Sequence, residues 1–221
     1  MALILNIDTA TNVAAVGFAD EKGIIAAQTS EDQKNHAAFV QSAISQLMRS
    51  HQIVLQNIDA VAVVNGPGSY TGLRVGLASA KGLCYALNKP LILLNTLEVM
   101  ALASADLFPD EDLLHCPMID ARRMEVFTAV YNKRLQALLP PQPMILTANS
   151  FNTFLLSQKV VFSGSGQKKV ESIINHQNAI FSQIAHTIEQ VGMLAQEAFN
   201  NKKFAGLAYS EPFYLKNFYT L

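Results

Sequence analysis

The stretch VVNGPGSYTGLRVGLASAKG, residues 63–82, passes from an apolar run through a Gly-Pro-Gly loop into a second apolar run. This order is typical of a β-strand that turns sharply into an α-helix, and such a turn can hold a phosphate at the helix start. It is not a P-loop, because that motif places a lysine directly after its last glycine and the first lysine here is Lys81. The loop either binds an anion through backbone N–H groups or only turns the chain, and both interpretations stay open.

The helix predicted after this loop is unusually rich in small residues. Gly72, Gly76 and Ala80 are spaced four apart, and each glycine inside a helix costs about 1 kcal/mol relative to alanine. The other small residues of the helix are Ala78, Ser79 and Gly82. A small-residue stripe allows another backbone to come close, either the chain's own sheet or a helix of another subunit. Because both faces carry small residues, we expect one stripe to face outward.

The flanking sequence predicts a β-strand and helix order that is used twice. Strands are expected over 2–7, 13–19, 23–29, 60–64 and 91–94, and helices over 36–50, capped by Asn35, over 71–87, and from Thr96 onward. The order then begins again: 113–119 ends in Asp120 as 3–7 ends in Asp8, 125–131 is the next strand, and VVFSGSG at 160–166 echoes AVVNGPG at 62–68.

This repeat predicts a fold class. We expect an α/β protein with two similar βββαβα lobes facing each other across a cleft, the layout of the actin, sugar kinase and Hsp70 ATPase (ASKHA) superfamily, whose lobes are ribonuclease H-like. The Pro109 region marks the boundary, which gives a first lobe over 1–106 and a second over 107–221. The C-terminal tail is expected to pack back on the first lobe.

Composition excludes several classes of protein. Half of the 221 residues are hydrophobic, 15% are charged and the net charge is −1, which indicates a globular core and no self-sufficient nucleic-acid surface. Cys84 and Cys116 lack CxxC spacing, which favours a reducing compartment. We find neither a signal peptide nor an apolar run long enough to span a membrane. We therefore expect a cytoplasmic protein without a membrane anchor.

Few residues are candidates for chemistry. Asp8 ends a predicted strand where actin-like folds place a carboxylate near nucleotide phosphates, but residues 9–12 contain no glycine to let phosphates approach. The possible anion- or nucleotide-binding residues are Asp8, Thr9, Gly66, Gly68 and Ser69. No two of the five histidines have the i, i+4 spacing of a helical metal pair. We therefore expect no catalytic residue, no metal site and no cofactor.

Motifs along nearly the whole chain resemble one family. ILNIDTATNVAAVGF, VVNGPGSYTGLRVGLASAKGL, NTLEVMA, MIDARRMEVFTAVY and YSEPFYLKN occur in the order found in the bacterial TsaB (YeaZ) family. These proteins are subunits of the complex that makes N6-threonylcarbamoyladenosine (t6A) at position 37 of tRNA. The family is a paralogue of the catalytic subunit TsaD, the glycoprotease-like (Gcp-like) protein. Where TsaD has the two histidines of its metal motif, this chain has Thr96 and Met100, with Glu98 between them.

The resemblance implies a non-catalytic scaffold that pairs with TsaD through its first lobe and recruits the ATPase TsaE. It implies contact with tRNA only through that complex, and a homodimer when TsaD is absent. The interface would use helices 36–50 and 71–87, and its expected residues are His36, Phe39, Val40, Ala43, Ile44, Leu47, Gly72, Leu73, Gly76, Ser79, Ala80 and Leu83. The alternatives are a metal-dependent glycoprotease-like hydrolase and an actin- or Hsp70-like ATPase or chaperone.

Overall fold

A computed structural model describes residues 2–32, 35–109 and 112–216 of the chain. It contains two compact units, the first formed by Met1–Thr96 and Thr187–Phe213 and the second by Leu97–His186 and Tyr214–Leu221. The chain therefore leaves the first unit earlier than the predicted boundary after residue 106 and returns to it for residues 187–213. Each unit contains one five-stranded mixed sheet within the described residues.

The elements of the first unit begin close to their predicted positions. They are β1 (Ile4–Asp8), β2 (Ala14–Asp20), β3 (Gly23–Ser30), α1 (His36–His51), β4 (Ala60–Gly66), α2 (Tyr70–Leu87), β5 (Leu91–Asn95) and α6 (Ile188–Asn200). The sheet has the order β3-β2-β1-β4-β5, with β1–β2 and β2–β3 antiparallel and β1–β4 and β4–β5 parallel. Strands β1 and β4 are almost fully buried, as their continuous apolar sequences predict.

The second unit repeats this topology. Its elements are α3 (Thr96–Leu107, of which Thr96 belongs to the first unit), β6 (Leu114–Asp120), β7 (Glu125–Tyr131), β8 (Ala137–Ile145), α4 (Asn152–Leu155), β9 (Val160–Ser163), α5 (Gln167–Glu171) and β10 (Ala179–Ser182). The sheet order β10-β9-β6-β7-β8 is the order of the first sheet read from the other edge, and the four pairings have the same senses. The predicted duplication of an α/β lobe is confirmed.

The side chains at the helix starts differ in whether they cap the helix. Ser69 caps α2, since its Oγ accepts a hydrogen bond from the Gly72 N–H at 3.2 Å. Asn35 precedes α1 but makes no side-chain cap, so the predicted N-cap is wrong. Its side-chain amide donates instead to the Asp32 carboxylate at 2.9 Å, which turns it away from the helix N–H groups. Both α1 and α2 end in a left-handed residue, Gln52 and Asn88.

Each unit has a hydrophobic core of its own. In the first, α1 and α2 pack on the sheet through Val40, Ala43, Leu77 and Ala80, among other residues, against strand residues such as Phe18. In the second, the largest core side chains include Phe162 and Met118. No described helix is both long and apolar enough to cross a membrane.

Candidate functional site

The glycine loop after β4 lies against the turn that follows β1. Gly66 has φ +126°, a conformation that L side chains rarely adopt. A Cβ on Gly68 would lie 2.2 Å from the carbonyl oxygen of Ala10, and a Cβ on Gly72 would lie 2.0 Å from that of Thr9. Both distances are far below van der Waals contact. The glycines are therefore required because the Thr9–Ala10 backbone occupies the space beside them.

Hydrogen bonds close this contact from both sides. The Ser69 N–H donates to the Ala10 carbonyl at 2.8 Å, and the Thr9 hydroxyl donates to the Gly72 carbonyl at 2.7 Å. The Asp8 carboxylate accepts the Ala10 N–H at 2.9 Å. Asp8 and Thr9 are 3% and 0% exposed, so neither side chain is presented to solvent. These contacts give the loop a packing role, while anion binding by Asp8, Thr9, Gly66, Gly68 and Ser69 stays a prediction.

The inner face of α2 carries the first small-residue stripe. A Cβ on Gly76 would lie 2.4 Å from the Thr9 hydroxyl oxygen and 3.3 Å from Val63 Cγ2. Ala80, one turn further, is 0% exposed in the same core. The stripe of Gly72, Gly76 and Ala80 therefore packs on the chain's own sheet and turn. These residues cannot supply the outward stripe that the sequence pattern left open.

The outer face of α2 is lined by a different set of residues. Gly82 is exposed, and a Cβ added to it would meet nothing within 4 Å. Thr71, Arg74 and Ala78 are also exposed, and Tyr85 is 83% exposed. The Arg74 guanidinium lies 4.0 Å from the centre of the Tyr70 ring, which orders the start of this face.

The predicted interface residues separate into buried and accessible groups. The buried ones, all in the core of the first unit, are His36, Val40, Ala43, Ile44, Leu47, Gly72, Leu73, Gly76 and Ala80. Phe39, Ser79 and Leu83 are half-buried. The amphipathic pattern located the two helices, but most of the residues given for the interface face the chain's own core. Their role in an interface stays a prediction. We define the outer face as ten of the exposed residues of α1 and α2: Ala37, Ala38, Gln41, Ser42, Ser45, Thr71, Arg74, Ala78, Gly82 and Tyr85. The two helices pack against each other.

A C-terminal segment covers the loop region, and it belongs to the tail that we expected to pack back on the first lobe. The Phe213 N–H donates to the Asn65 carbonyl at 2.7 Å, and a Cβ on Gly66 would lie 2.6 Å from the Phe213 carbonyl oxygen. The Lys81 ammonium, on α2, donates to the carbonyls of Ala208 and Ser210 at 3.3 and 3.0 Å. Residues 205–213, which we call the C-terminal strap, thus hold α2 and the glycine loop together.

The two residues at the positions of the TsaD metal motif, Thr96 and Met100, are both buried. Met100 is 6% exposed in a cluster with Leu97, Ala101, Ala129 and Tyr131. Thr96 is 0% exposed at the end of the first unit, and its hydroxyl has no hydrogen-bond partner within the described residues. Among the described residues, no group of three or more His, Cys, Asp or Glu side chains is placed to hold a metal ion.

His115 and Ser104 form a buried pair in the second unit. The Ser104 hydroxyl lies 2.8 Å from His115 Nδ1, and both residues are 0% exposed. Burial, with a smaller effect of the Lys133 charge, lowers the pKa of His115 to about 4. The imidazole is therefore neutral near pH 7. A substrate cannot reach either atom through the packed core, so we interpret the pair as structural.

Known proteins similar to this chain agree on one family. Residues 22–210 match the family model TsaD, tRNA N6-adenosine threonylcarbamoyltransferase. The tRNA threonylcarbamoyladenosine biosynthesis protein TsaB of Bacillus subtilis (strain 168) is 34% identical over 65% of this chain and 62% of its own length. TsaB of Escherichia coli (strain K12) is 26% identical over 97% of this chain and 94% of its own length.

Solved structures agree on the fold. A Pseudomonas aeruginosa protein described as uncharacterized, with similarity to peptidase YEAZ, superposes with a TM-score of 0.85 at 21% identity, covering 98% of this chain and all of its own. YeaZ from Pseudomonas aeruginosa gives a TM-score of 0.78 at 22% identity. From the extent of the family match, the chain belongs to the TsaD family and, within it, to the TsaB/YeaZ branch.

Proposed function

We propose that this chain is the non-catalytic partner subunit in the formation of t6A on tRNA, and that it binds a catalytic threonylcarbamoyltransferase through the outer face. The observation that carries the proposal is the closed glycine loop. Thr9 and Ala10 backbone atoms fill the space beside Gly68 and Gly72, and the Ser69 N–H, which an anion at the helix start would need, is bonded to the Ala10 carbonyl. What remains accessible in this region is a helix surface, which suits a protein partner.

The residues at the metal positions support a non-catalytic role. The resemblance to TsaD places Thr96 and Met100 where the catalytic paralogue has histidines, and a thioether is a poor ligand for a hard or borderline ion. Both side chains are buried in packed surroundings. A hydrolase would need a nucleophile or metal that substrate can reach, and the residues described above offer neither.

The outer face has the chemistry of a close helix–helix contact. Ala78 and Gly82 are small, one turn apart and exposed, so a partner helix can approach the α2 backbone. Tyr85, at 83% exposure, follows in the next turn and is the kind of aromatic anchor that dominates interface energetics. In the first part of α1, over residues 36–45, the exposed residues are Ala37, Ala38, Gln41, Ser42 and Ser45, which are small or uncharged. A stable complex would bury on the order of 1,200–2,000 Å².

A single position tests this proposal with little risk to the fold. Gly82→Glu adds bulk and charge where a Cβ meets nothing, so the variant should fold, and burying its unpaired carboxylate against a partner would be costly. We expect Gly82→Glu to abolish co-elution with the threonylcarbamoyltransferase of the same organism and to abolish t6A formation in the reconstituted reaction. Gly82→Ala, which adds one methyl group, should retain both.

Two measurements separate the possible outcomes. Light scattering of the chain alone should detect a concentration-dependent homodimer that Gly82→Glu dissociates, since the same face would pair with itself when no partner is present. Circular dichroism establishes that the variant is folded. A folded Gly82→Glu protein that still forms the complex would mean that the interface lies elsewhere. Failure of the wild-type chain to support t6A formation would refute the function itself.

A further inference from the structure

The turn between β6 and β7 holds two consecutive arginines in an uncommon backbone conformation. Arg122 has φ 66° and Arg123 has φ 46°, so both lie in the left-handed region. This conformation costs roughly 1–2 kcal/mol for each residue with a side chain, and glycine or asparagine is usual there. Such residues persist only where the surrounding structure holds them.

Four hydrogen bonds fix the backbone of this turn. The Arg122 N–H donates to Asp120 Oδ1 at 2.6 Å, and the Glu125 N–H donates to the Arg122 carbonyl at 3.1 Å. The Ala121 N–H donates to the Glu125 carbonyl at 3.1 Å, and the Leu146 N–H donates to the Met124 carbonyl at 2.7 Å. Arg122, Arg123 and Met124 are all exposed. The turn is thus a rigid support that presents two guanidinium groups to solvent.

The carboxylates beside the turn are already paired with lysines. Lys169 Nζ lies 2.7 Å from Asp120 Oδ1 and 2.9 Å from the Glu125 carbonyl oxygen. The Lys216 ammonium pairs with the Glu125 carboxylate. Because both acids are neutralised by these lysines, the charges of the two arginines are left without a local counter-charge.

Lys168 adds a third positive charge to the surface. It is exposed on α5, next to the Lys169 that reaches Asp120, and Glu171 lies at the end of the same short helix. Across the described residues, the side chains of Arg122, Arg123 and Lys168 make no ion pair or hydrogen bond. In a chain with net charge −1, this turn and helix α5, which Lys169 joins to it, therefore carry three positive charges without an ion-pair partner among the described residues.

We propose that Arg122 and Arg123, with Lys168, form a contact surface for the phosphodiester backbone of tRNA, an inference that rests on the proposed function. Guanidinium groups donate bidentate hydrogen bonds to phosphate oxygens, and their charge displaces the counterions of the nucleic acid. The three side chains are exposed rather than gathered in a pocket, which suits a polymer backbone better than a small anion. The surface contributes to tRNA binding together with the partner subunit.

The experiment measures tRNA affinity of the full chain in complex with the threonylcarbamoyltransferase, by fluorescence anisotropy over a range of KCl concentrations, using an unmodified tRNA transcript. We expect Arg122→Gln with Arg123→Gln to weaken binding about tenfold at 0.1 M salt and to reduce the log–log salt slope by about one to two. The matched control is Lys202→Gln with Lys203→Gln, an exposed basic pair in the first unit whose Lys202 also has positive φ. The control should keep the wild-type affinity and slope.

Several results would overturn the proposal. One is an arginine variant that binds tRNA like the control, and another is a wild-type complex whose tRNA affinity is equal to that of the catalytic partner alone. A third is polyglutamate competing as well as tRNA, which would identify an acidic protein surface as the ligand. The proposed function is tested separately by t6A formation and complex formation, neither of which is measured in this assay. Circular dichroism confirms that both double variants are folded.

Discussion

The glycines of α2 illustrate how one residue type serves opposite purposes within a few turns. Gly76 is buried against Thr9 and Val63, where any side chain would collide, whereas Gly82 is exposed with open space beside it. The first is required by packing on the chain's own turn. The second is not required by anything within the described residues, and it lowers helix stability.

We therefore predict opposite effects for the same substitution at the two positions. Gly76→Ala should lower the free energy of unfolding by up to about 2 kcal/mol net, because overpacking costs about 1–3 kcal/mol and the gain in helix propensity returns about 1 kcal/mol. Gly82→Ala should raise it by up to about 1 kcal/mol. Urea unfolding followed by circular dichroism measures both. A stabilising Gly76→Ala would mean that Thr9 moves aside at little cost.

The sequence alone identified the small residues of α2, but it could not tell which of them face the chain's own sheet and which face outward. The spacing of Gly72, Gly76 and Ala80 indicates a close contact, but small residues on a helix allow the chain's own sheet or a partner helix to approach equally well. The deciding atoms are the carbonyl of Thr9 and its hydroxyl, which lie far away in sequence. Asn35 failed as a cap for a local reason, because its side-chain amide donates to the carboxylate of Asp32, three residues away.

At the scale of elements, the C-terminal strap is the feature with the clearest mechanical role. Lys81 holds two of its carbonyls, Ala205 donates to Leu91 at 2.9 Å, and Phe213 donates to Asn65. Strand β5 is an edge of its sheet, so the bridge between Ala205 and Leu91 also covers exposed backbone groups. The strap thereby protects the sheet edge and fixes the glycine loop.

Removing the lysine charge should loosen the strap without unfolding the unit. We predict that Lys81→Met lowers the free energy of unfolding by about 1–2 kcal/mol, the usual contribution of hydrogen bonds to a charged group. Hydrogen exchange of the Ala205 and Phe213 amides should become faster, and proteolysis within 205–213 should increase. Lys89→Met, beyond the end of the same helix, is the control and should change neither. Unaltered exchange in Lys81→Met would show that the backbone bonds alone hold the strap.

The elements that were not predicted individually lie mainly in the second unit. Strand β8 (Ala137–Ile145) contains Pro140, Pro141 and Pro143, a composition that argues against a strand. It is tolerated because β8 is an edge strand, where one side of the backbone needs no ladder hydrogen bonds. The short β10, with four residues, gave too little periodicity to detect. By contrast, β7 was predicted with its observed bounds, Glu125–Tyr131.

For the whole molecule, the duplication explains why so much of the topology could be predicted. Two sequence features occur twice, a strand that ends in Asp and a Gly-x-Gly loop. They lie at equivalent positions of two sheets that have the same strand order. In the second unit, Gly164 has φ +89° and its Cβ would lie 2.5 Å from the Met118 carbonyl oxygen. Both glycine loops thus allow close backbone packing. The repeated motifs could not predict that the space beside the first loop is filled, because this depends on the tertiary contact with the Thr9–Ala10 backbone.

Buried His115 makes the stability of the protein depend on pH. Its pKa is about 4 in the folded protein and near 6.5 when unfolded, because burial disfavours the charged ring. The unfolded chain therefore binds more protons between these values. This contribution is fully present above pH 6.5 and is lost as the pH falls toward 4.

We predict that lowering the pH from 7.5 to 5.5 decreases the free energy of unfolding by about 1.4 kcal/mol through His115 alone, a range above the ordinary pKa values of carboxylates. Urea unfolding at several pH values measures this slope. His115→Gln should lower stability at neutral pH, since the Ser104 contact is altered, and should remove that part of the slope. His51→Gln, at an exposed site on α1, should keep it. If His115→Gln retains the full wild-type slope, then the ring takes up a proton in the folded protein and the buried pair opens to solvent.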